Sequence, residues 1–294
     1  MTLTGCNDTR ASKNSDSVGT NAGLSPPMTG SALGTGWDSS AGPIIVLPVL
    51  RSPTDAAIVL PGLTDSTLAG TSHFELSRLV NIPLDLFNSK GLVGNSVIQV
   101  LSQPNDSTGC VSWPTGSVMT SAPIGWKIGL EKGRAVGLPL DSMEGMTGVD
   151  SAQFAADVVS LALSLSGGAD AVFSGIPFYV RKGYRLTIPS ASIIIAEAVR
   201  KINEEANPRE EHLLFLAERS KGNVGFRVAF HVRSAGAEES LETSEVLSAL
   251  RLTKTNRLAI VITFDYEDGG KIGLLERLAL NDWRIVWKSA YTGC

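Results

Sequence analysis

Val224-Gly225-Phe226-Arg227-Val228-Ala229-Phe230-His231-Val232-Arg233 is the stretch that decides the fold. Val224, Phe226, Val228, Phe230 and Val232 fall at every second position and alternate with Gly225, Arg227, Ala229, His231 and Arg233. A helix would scatter this pattern around its circumference, whereas a strand places the apolar set on one face. The stretch therefore predicts a β-strand with one apolar face. Downstream the pattern repeats. Leu258, Ile260, Ile262 and Phe264 form a second strand stripe. Asp268-Gly269-Gly270 predicts a turn before a strand over Ile272 to Leu280, and Asn281-Asp282 turns into a strand carrying Trp283, Ile285 and Trp287 on one face. Consecutive strands with short links predict an antiparallel meander.

Upstream, Ser192 to Glu218 carries two signals. Ile193-Ile194-Ile195 favours a strand, while Ala196 to Ala206 contains good helix formers. Asn207-Pro208 must be a turn or boundary, and His212 to Ala217 has strand character, so a long hairpin is favoured over a helix. One helix is expected over about 150–166, capped by Asp150 or Ser151 and ended by Gly167-Gly168. Phe154, Val158, Leu161 and Leu165 recur along it at helical spacing and predict a core-facing stripe. In the first half, Ile44–Leu47 and Ala56–Leu60 predict a hairpin, Val97–Leu101 a strand, and Trp126–Leu130 with Ala135–Leu138 a hairpin about Glu131-Lys132-Gly133-Arg134. The fold class is α+β and predominantly β, with antiparallel strands and hairpins and one main amphipathic helix.

Residues 7 to about 42 are dominated by Ser, Gly, Thr, Asn, Asp and Pro and read as a flexible tether. The expected organisation is a 1–42 leader and linker, a 43–145 β-rich region and a 146–294 helix-plus-meander region, with 43–294 as one domain the alternative.

Composition narrows function more than motifs do. The chain has 294 residues, 25 Lys and Arg against 29 Asp and Glu, and a formal charge of −4. Arg181-Lys182 with Arg185 is the nearest approach to a basic cluster, so nucleic acid is not expected as a partner. Of His73, His212 and His231, none has metal-ligand spacing, and His212 and His231 are expected to be solvated on strands. No metal or cofactor is expected. Ser72-His73 lacks the context of a nucleophile elbow. Asp265-Tyr266-Glu267-Asp268-Gly269-Gly270 lacks the later Glu of a calcium loop and reads as a solvated turn. Trp113, Trp126, Trp283 and Trp287 are expected in the core rather than along a ligand groove.

The three cysteines carry the strongest signal. Leu3-Thr4-Gly5-Cys6 resembles the bacterial lipobox: an aliphatic residue, a small residue, Gly, then Cys. The resemblance covers four residues and opens directly into the tether. It implies cleavage before Cys6, lipidation of its sulfur, and a membrane-anchored body facing the periplasm or the cell surface. A basic and apolar leader is then expected upstream of Met1. Export would leave Cys110 and Cys294 as an even pair able to form a disulfide, the alternative being two unpaired thiols. The expected function is a cell-envelope lipoprotein acting in binding or assembly, with an envelope protein as partner. The alternatives are a secreted hydrolase with a site built from scattered residues, and a β-rich structural or virion subunit with a disordered N-terminal arm.

Overall fold

The computed structural model describes residues 36–49, 52, 54–71, 73–104, 110–119, 122–165, 170–203, 208–237, 241–266 and 269–293. Cys6, Cys294 and nearly all of the 1–42 tether lie outside them. Among the described residues the strands, in chain order, are β1 (Ile45–Pro48), β2 (Asp55–Val59), β3 (Pro83–Asn88), β4 (Gly91–Ser102), β5 (Thr115–Val118), β6 (Ile128–Glu131), β7 (Ala135–Leu138) and β8 (Asp141–Ser142). They continue with β9 (Tyr179–Ile188), β10 (Ala191–Ile202), β11 (Arg209–Ser220), β12 (Arg227–Ala237), β13 (Thr243–Leu252), β14 (Leu258–Tyr266), β15 (Gly269–Ala279), β16 (Asp282–Lys288) and β17 (Thr292–Gly293). Two α-helices are described, α1 (Asp65–Ala69) and α2 (Gly148–Ser164). None is long and apolar enough to cross a membrane. The described chain is thus mostly β, with antiparallel pairing throughout.

The strands form a closed barrel in the order β1-β2-β5-β4-β3-β6, a central sheet in the order β16-β15-β14-β13-β7, and an outer sheet in the order β12-β11-β10-β9-β8. Three apolar clusters stack these elements in layers. One joins the barrel residues Ile58, Leu84 and Ile98 to Leu250, Val261 and Trp287 of the central sheet. A second joins the opposite face of that sheet, Ile260, Ile262 and Phe264, to Ile193, Ile195, Leu214 and Leu216 of the outer sheet. The third packs Phe154, Val158 and Ala162 of α2 on Ile194, Ala196, Leu213 and Phe215. Both sheets are therefore covered on both faces. This explains their continuous apolar runs, since a strand buried on two sides has no polar face to alternate with.

The Ser192–Glu218 segment is a hairpin, with β10 and β11 in register from Ala191↔Ser220 to Ile202↔Arg209. Burial of both faces outweighs the helix propensity of Ala196 to Ile202. The meander β13-β14-β15-β16 is also observed. Two expectations are corrected here. First, Trp126–Leu130 and Ala135–Leu138 do not form a hairpin. β6 pairs with β1 and β3 inside the barrel, while β7 leaves it to pair with β13. Second, the alternating stretch does not keep one face. Val224 is 97% exposed in the turn before β12. A register shift then pairs Ala217 with Val228 but Leu216 with Phe230. Val228 and Phe226 pack on the helix side, and Ala229 and Phe230 on the side of the central sheet. A bulge adds one residue to one strand and so exchanges the faces beyond it.

The cap of α2 is also corrected. Thr147, rather than Asp150 or Ser151, is the N-cap, its hydroxyl accepting from the Asp150 amide at 3.3 Å and donating to the Asp150 carboxylate at 2.7 Å. Asp150 then lies in the first turn, where the helix dipole favours an acid. The helix ends at Ser164 with Leu165 as C-cap, and Gly167-Gly168 lies outside the described residues. Residues 37–41, within the expected tether, are packed: Ser40 and Ala41 are buried, and the Trp37 ring meets Trp287 edge-on at 4.8 Å. All four other tryptophans are buried.

β7 joins the barrel to the central sheet through a close approach at Gly137. A Cβ there would lie 2.4 Å from the Leu92 backbone nitrogen and 2.8 Å from Gly91 Cα. Gly137→Ala is expected to lower stability by about 1–3 kcal/mol through overpacking, measured by urea denaturation. An unchanged midpoint would show that the two strands are free to separate.

Candidate functional site

The densest group of ionisable side chains lies on the outer sheet, at the end where β10 leaves and β11 enters. Strand register places Arg200 opposite Glu211 and Lys201 opposite Glu210, with His212 opposite Val199. Successive residues point to opposite faces, so these charges separate into two clusters, one on each side of the sheet.

On the side facing the central sheet, His212 lies between two carboxylates. Its Nδ1 is 2.8 Å from Glu197 Oε1 and its Nε2 is 2.6 Å from Glu210 Oε2. All three residues are buried. Arg181 Nη1 donates to Glu197 Oε1 at 3.1 Å, and Lys201 Nζ pairs with Glu210. Burial opposes the charged imidazolium, but the hydrogen bonds and charges of Glu197 and Glu210 outweigh it, and the pKa of His212 is raised. Burial likewise works against the Glu210 carboxylate, yet its bonds to Lys201 and His212 prevail and its pKa is lowered. Carboxylates beside both ring nitrogens favour the doubly protonated imidazolium, and Arg181 Nη1 lies 3.3 Å from the same Nδ1.

On the helix side, Glu211 is fully buried between two guanidiniums. Arg200 Nε reaches it at 2.5 Å, and Arg233 pairs with its other oxygen. Arg200 also donates to the Phe173 carbonyl at 2.8 Å and lies 4.6 Å from the Phe178 ring centroid. Arg233 donates to the carbonyl of Leu165 at the end of α2, so this triad ties the last turn of the helix to the sheet.

The chemistry open to His212 is limited because both its ring nitrogens are engaged. A histidine with both nitrogens engaged has no lone pair with which to take a proton from a substrate. The two carboxylates approach the ring from opposite edges rather than converging on a common centre. Among the described residues no group of three His, Cys, Asp or Glu side chains is arranged to hold a metal. The geometry fits a fixed ionic lock better than an acid–base site.

The expectation that His212 is solvated is corrected: it is 6% exposed. Glu210, His212, Leu214 and Leu216 share one strand face, and this polar continuation of a buried stripe was the available signal. His73 is exposed, and its neighbour Ser72 lies outside the described residues. Asp265 and Tyr266 are exposed at the end of β14, and Glu267 and Asp268 lie outside the described residues.

Of the residues singled out by the sequence, Cys6 and Cys294 lie outside the described residues, and Cys110 lies within them and has a partner. Next to Cys110, Val111 forms an antiparallel bridge with Gly293, its amide donating to the Gly293 carbonyl at 3.0 Å and its carbonyl accepting from the Gly293 amide at 2.9 Å. Comparisons with protein-family models, with curated proteins and with solved structures found no match.

Proposed function

We propose that the chain is a cell-envelope lipoprotein, held to a membrane by a lipid on Cys6, whose layered β body acts in binding or assembly rather than catalysis. The observation that supports it best is the Val111–Gly293 bridge. The bridge ties the backbone beside Cys110 to the C-terminal segment, and this supports reading Cys110 and Cys294 as partners in a disulfide bond. Such a bond forms in an oxidising envelope compartment. It closes a loop of roughly 180 residues, for which the entropic model gives about 5 kcal/mol of stabilisation. The engagement of both His212 ring nitrogens by carboxylates agrees with a non-catalytic body.

Two measurements test this. Metabolic labelling with a fatty acid is expected to mark the wild-type protein and not Cys6→Ser, and equal labelling of both refutes the anchor. Mass spectrometry of alkylated native protein is expected to show Cys110 and Cys294 protected until reductant is added. Two alkylated thiols without reductant refute the bridge.

A second function, that of a subunit in a β-rich structural assembly, is favoured by the outer surface of α2. Ala155, Val159 and Leu163 line an open depression with Phe178 and Val180, and Leu163 is 52% exposed. Sedimentation of the purified chain separates the two functions: concentration-dependent self-association lost in Leu163→Glu favours the subunit.

A further inference from the structure

A depression of about 400 Å³ opens at the other end of the sheet sandwich, where the β9–β10 turn and the β13–β14 turn meet β15. Its wall includes Pro189 and Ser190 from the first turn, Arg251, Asn256 and Arg257 around the second, and Arg277 from β15. Three arginines therefore line one depression of a chain whose formal charge is −4.

Buried acids hold two of these arginines in place. Arg277 presents Nε and Nη2 to Glu218, which is 1% exposed and also accepts from the Trp283 indole at 3.1 Å and the Asn281 amide at 3.2 Å. That bidentate contact engages one edge of the guanidinium and leaves Nη1 for another acceptor. Arg257 Nη1 donates to Glu276 at 3.2 Å, and Glu276 is likewise 1% exposed, while the Arg257 side chain is half exposed. Arg251 differs from both. Among the described residues its hydrogen-bond acceptor is the Asn256 amide oxygen at 3.4 Å, and it forms no salt bridge.

We propose that this depression is a binding site for a phosphate monoester group. A single carboxylate is satisfied by one bidentate arginine. Three arginines lining one depression supply more fork donors than a single carboxylate takes up, which suits a group with three terminal oxygens and close to two negative charges. Pre-fixing by Glu218 and Glu276 lowers the ordering cost of binding. Among the described residues no carboxylate pairs with Arg251, so it supplies the positive charge.

Calorimetric titration of the full-length Cys6→Ser chain with inorganic phosphate tests the site. Sedimentation with phosphatidylcholine vesicles, with and without phosphatidic acid, separates a soluble phosphate ligand from a lipid headgroup. Saturable phosphate binding at constant ionic strength, or sedimentation only with phosphatidic acid, is expected. Either is expected to weaken about tenfold in Arg251→Gln, the loss of one charged hydrogen-bonding partner. Arg251 pairs with no buried acid, so this variant is expected to keep the wild-type circular dichroism. Absence of both binding signals, or equal binding by wild type and a folded Arg251→Gln, overturns the proposal. If Arg251→Gln does not fold, Lys254→Gln in the exposed turn replaces it, with a weaker loss expected and equal binding again decisive.

Discussion

Glu211→Ala is expected to cost about 3–5 kcal/mol of folding stability, the range for removing one partner of a buried ion pair. Domains of this kind are stable by about 5–15 kcal/mol in total, so the variant should be marginal or unfolded. The cause is the charge left behind rather than the bond lost. Arg200 is 4% exposed, and the Arg233 side chain 16%. With Glu211 gone, both would remain desolvated with no anion between them. Glu211→Gln keeps the shape and one acceptor oxygen and should fall between the variant and the wild type. Replacing Arg200, Glu211 and Arg233 together by Met, Leu and Met removes every charge of the triad and should recover most of the loss. Urea denaturation followed by circular dichroism measures all three. A cost below about 1 kcal/mol for Glu211→Ala would mean that water reaches the triad and that it does not lock α2 to the sheet.

His212 should impose a pH optimum on stability. Its folded pKa is raised above the reference value of 6.5. The folded state therefore holds this proton more tightly than the unfolded state does. The resulting stability is fully present below 6.5 and is lost as pH rises through the higher folded pKa. Glu210 has the opposite sense. Its folded pKa is lowered from 4.5, so its contribution is present above 4.5 and is lost as pH falls through the lower folded value. The cluster is thus most stabilising between 4.5 and 6.5. Melting temperatures taken across pH 5 to 9 should decline above pH 6.5 in the wild type, and the decline should be smaller in His212→Gln. That variant also leaves Glu197 and Glu210 without the cation between them, and should lose about 3 kcal/mol at pH 6. Parallel pH profiles for the two proteins would show that His212 is neutral in the folded state.

Much of the strand content was legible because it depends on short-range pattern. Leu258, Ile260, Ile262 and Phe264 fall on one face of β14 as their spacing requires. Trp283 and Ile285 do so on β16, but Trp287 has crossed to the barrel side. A register shift accompanies that change: Leu274 pairs with Trp287 but Leu275 with Ile285, which leaves Val286 as the extra residue on β16. Sequence spacing carries no mark of a bulge, so face assignments fail beyond one. The destination of β7 was equally hidden. A hairpin with β6 and a crossing into the central sheet use the same Gly-containing turn, and the choice depends on a free edge at β13, a strand more than 100 residues away.

The ionic clusters were hidden for a related reason. Glu197, Glu210 and His212 come together because a hairpin of two twelve-residue strands aligns them and a second sheet covers one face. In the sequence, Glu210-Glu211-His212 has the composition of a solvated strand end. Burial inverts that meaning, since charges removed from water must find partners of opposite sign.

By itself the sequence determined local structure: the strands of the meander, the β10–β11 hairpin, a helix near 150–164, and the tryptophans as core. These depend on residue shape and on a period of two or of about four, which short segments impose on themselves. Only the tertiary structure decided that the strands form a barrel and two sheets in successive layers, on which face each bulged strand presents its residues, and which charges are locked inside. Those outcomes depend on contacts between residues far apart in the chain, and a polar side chain has no fixed role until its neighbours either exclude water or admit it.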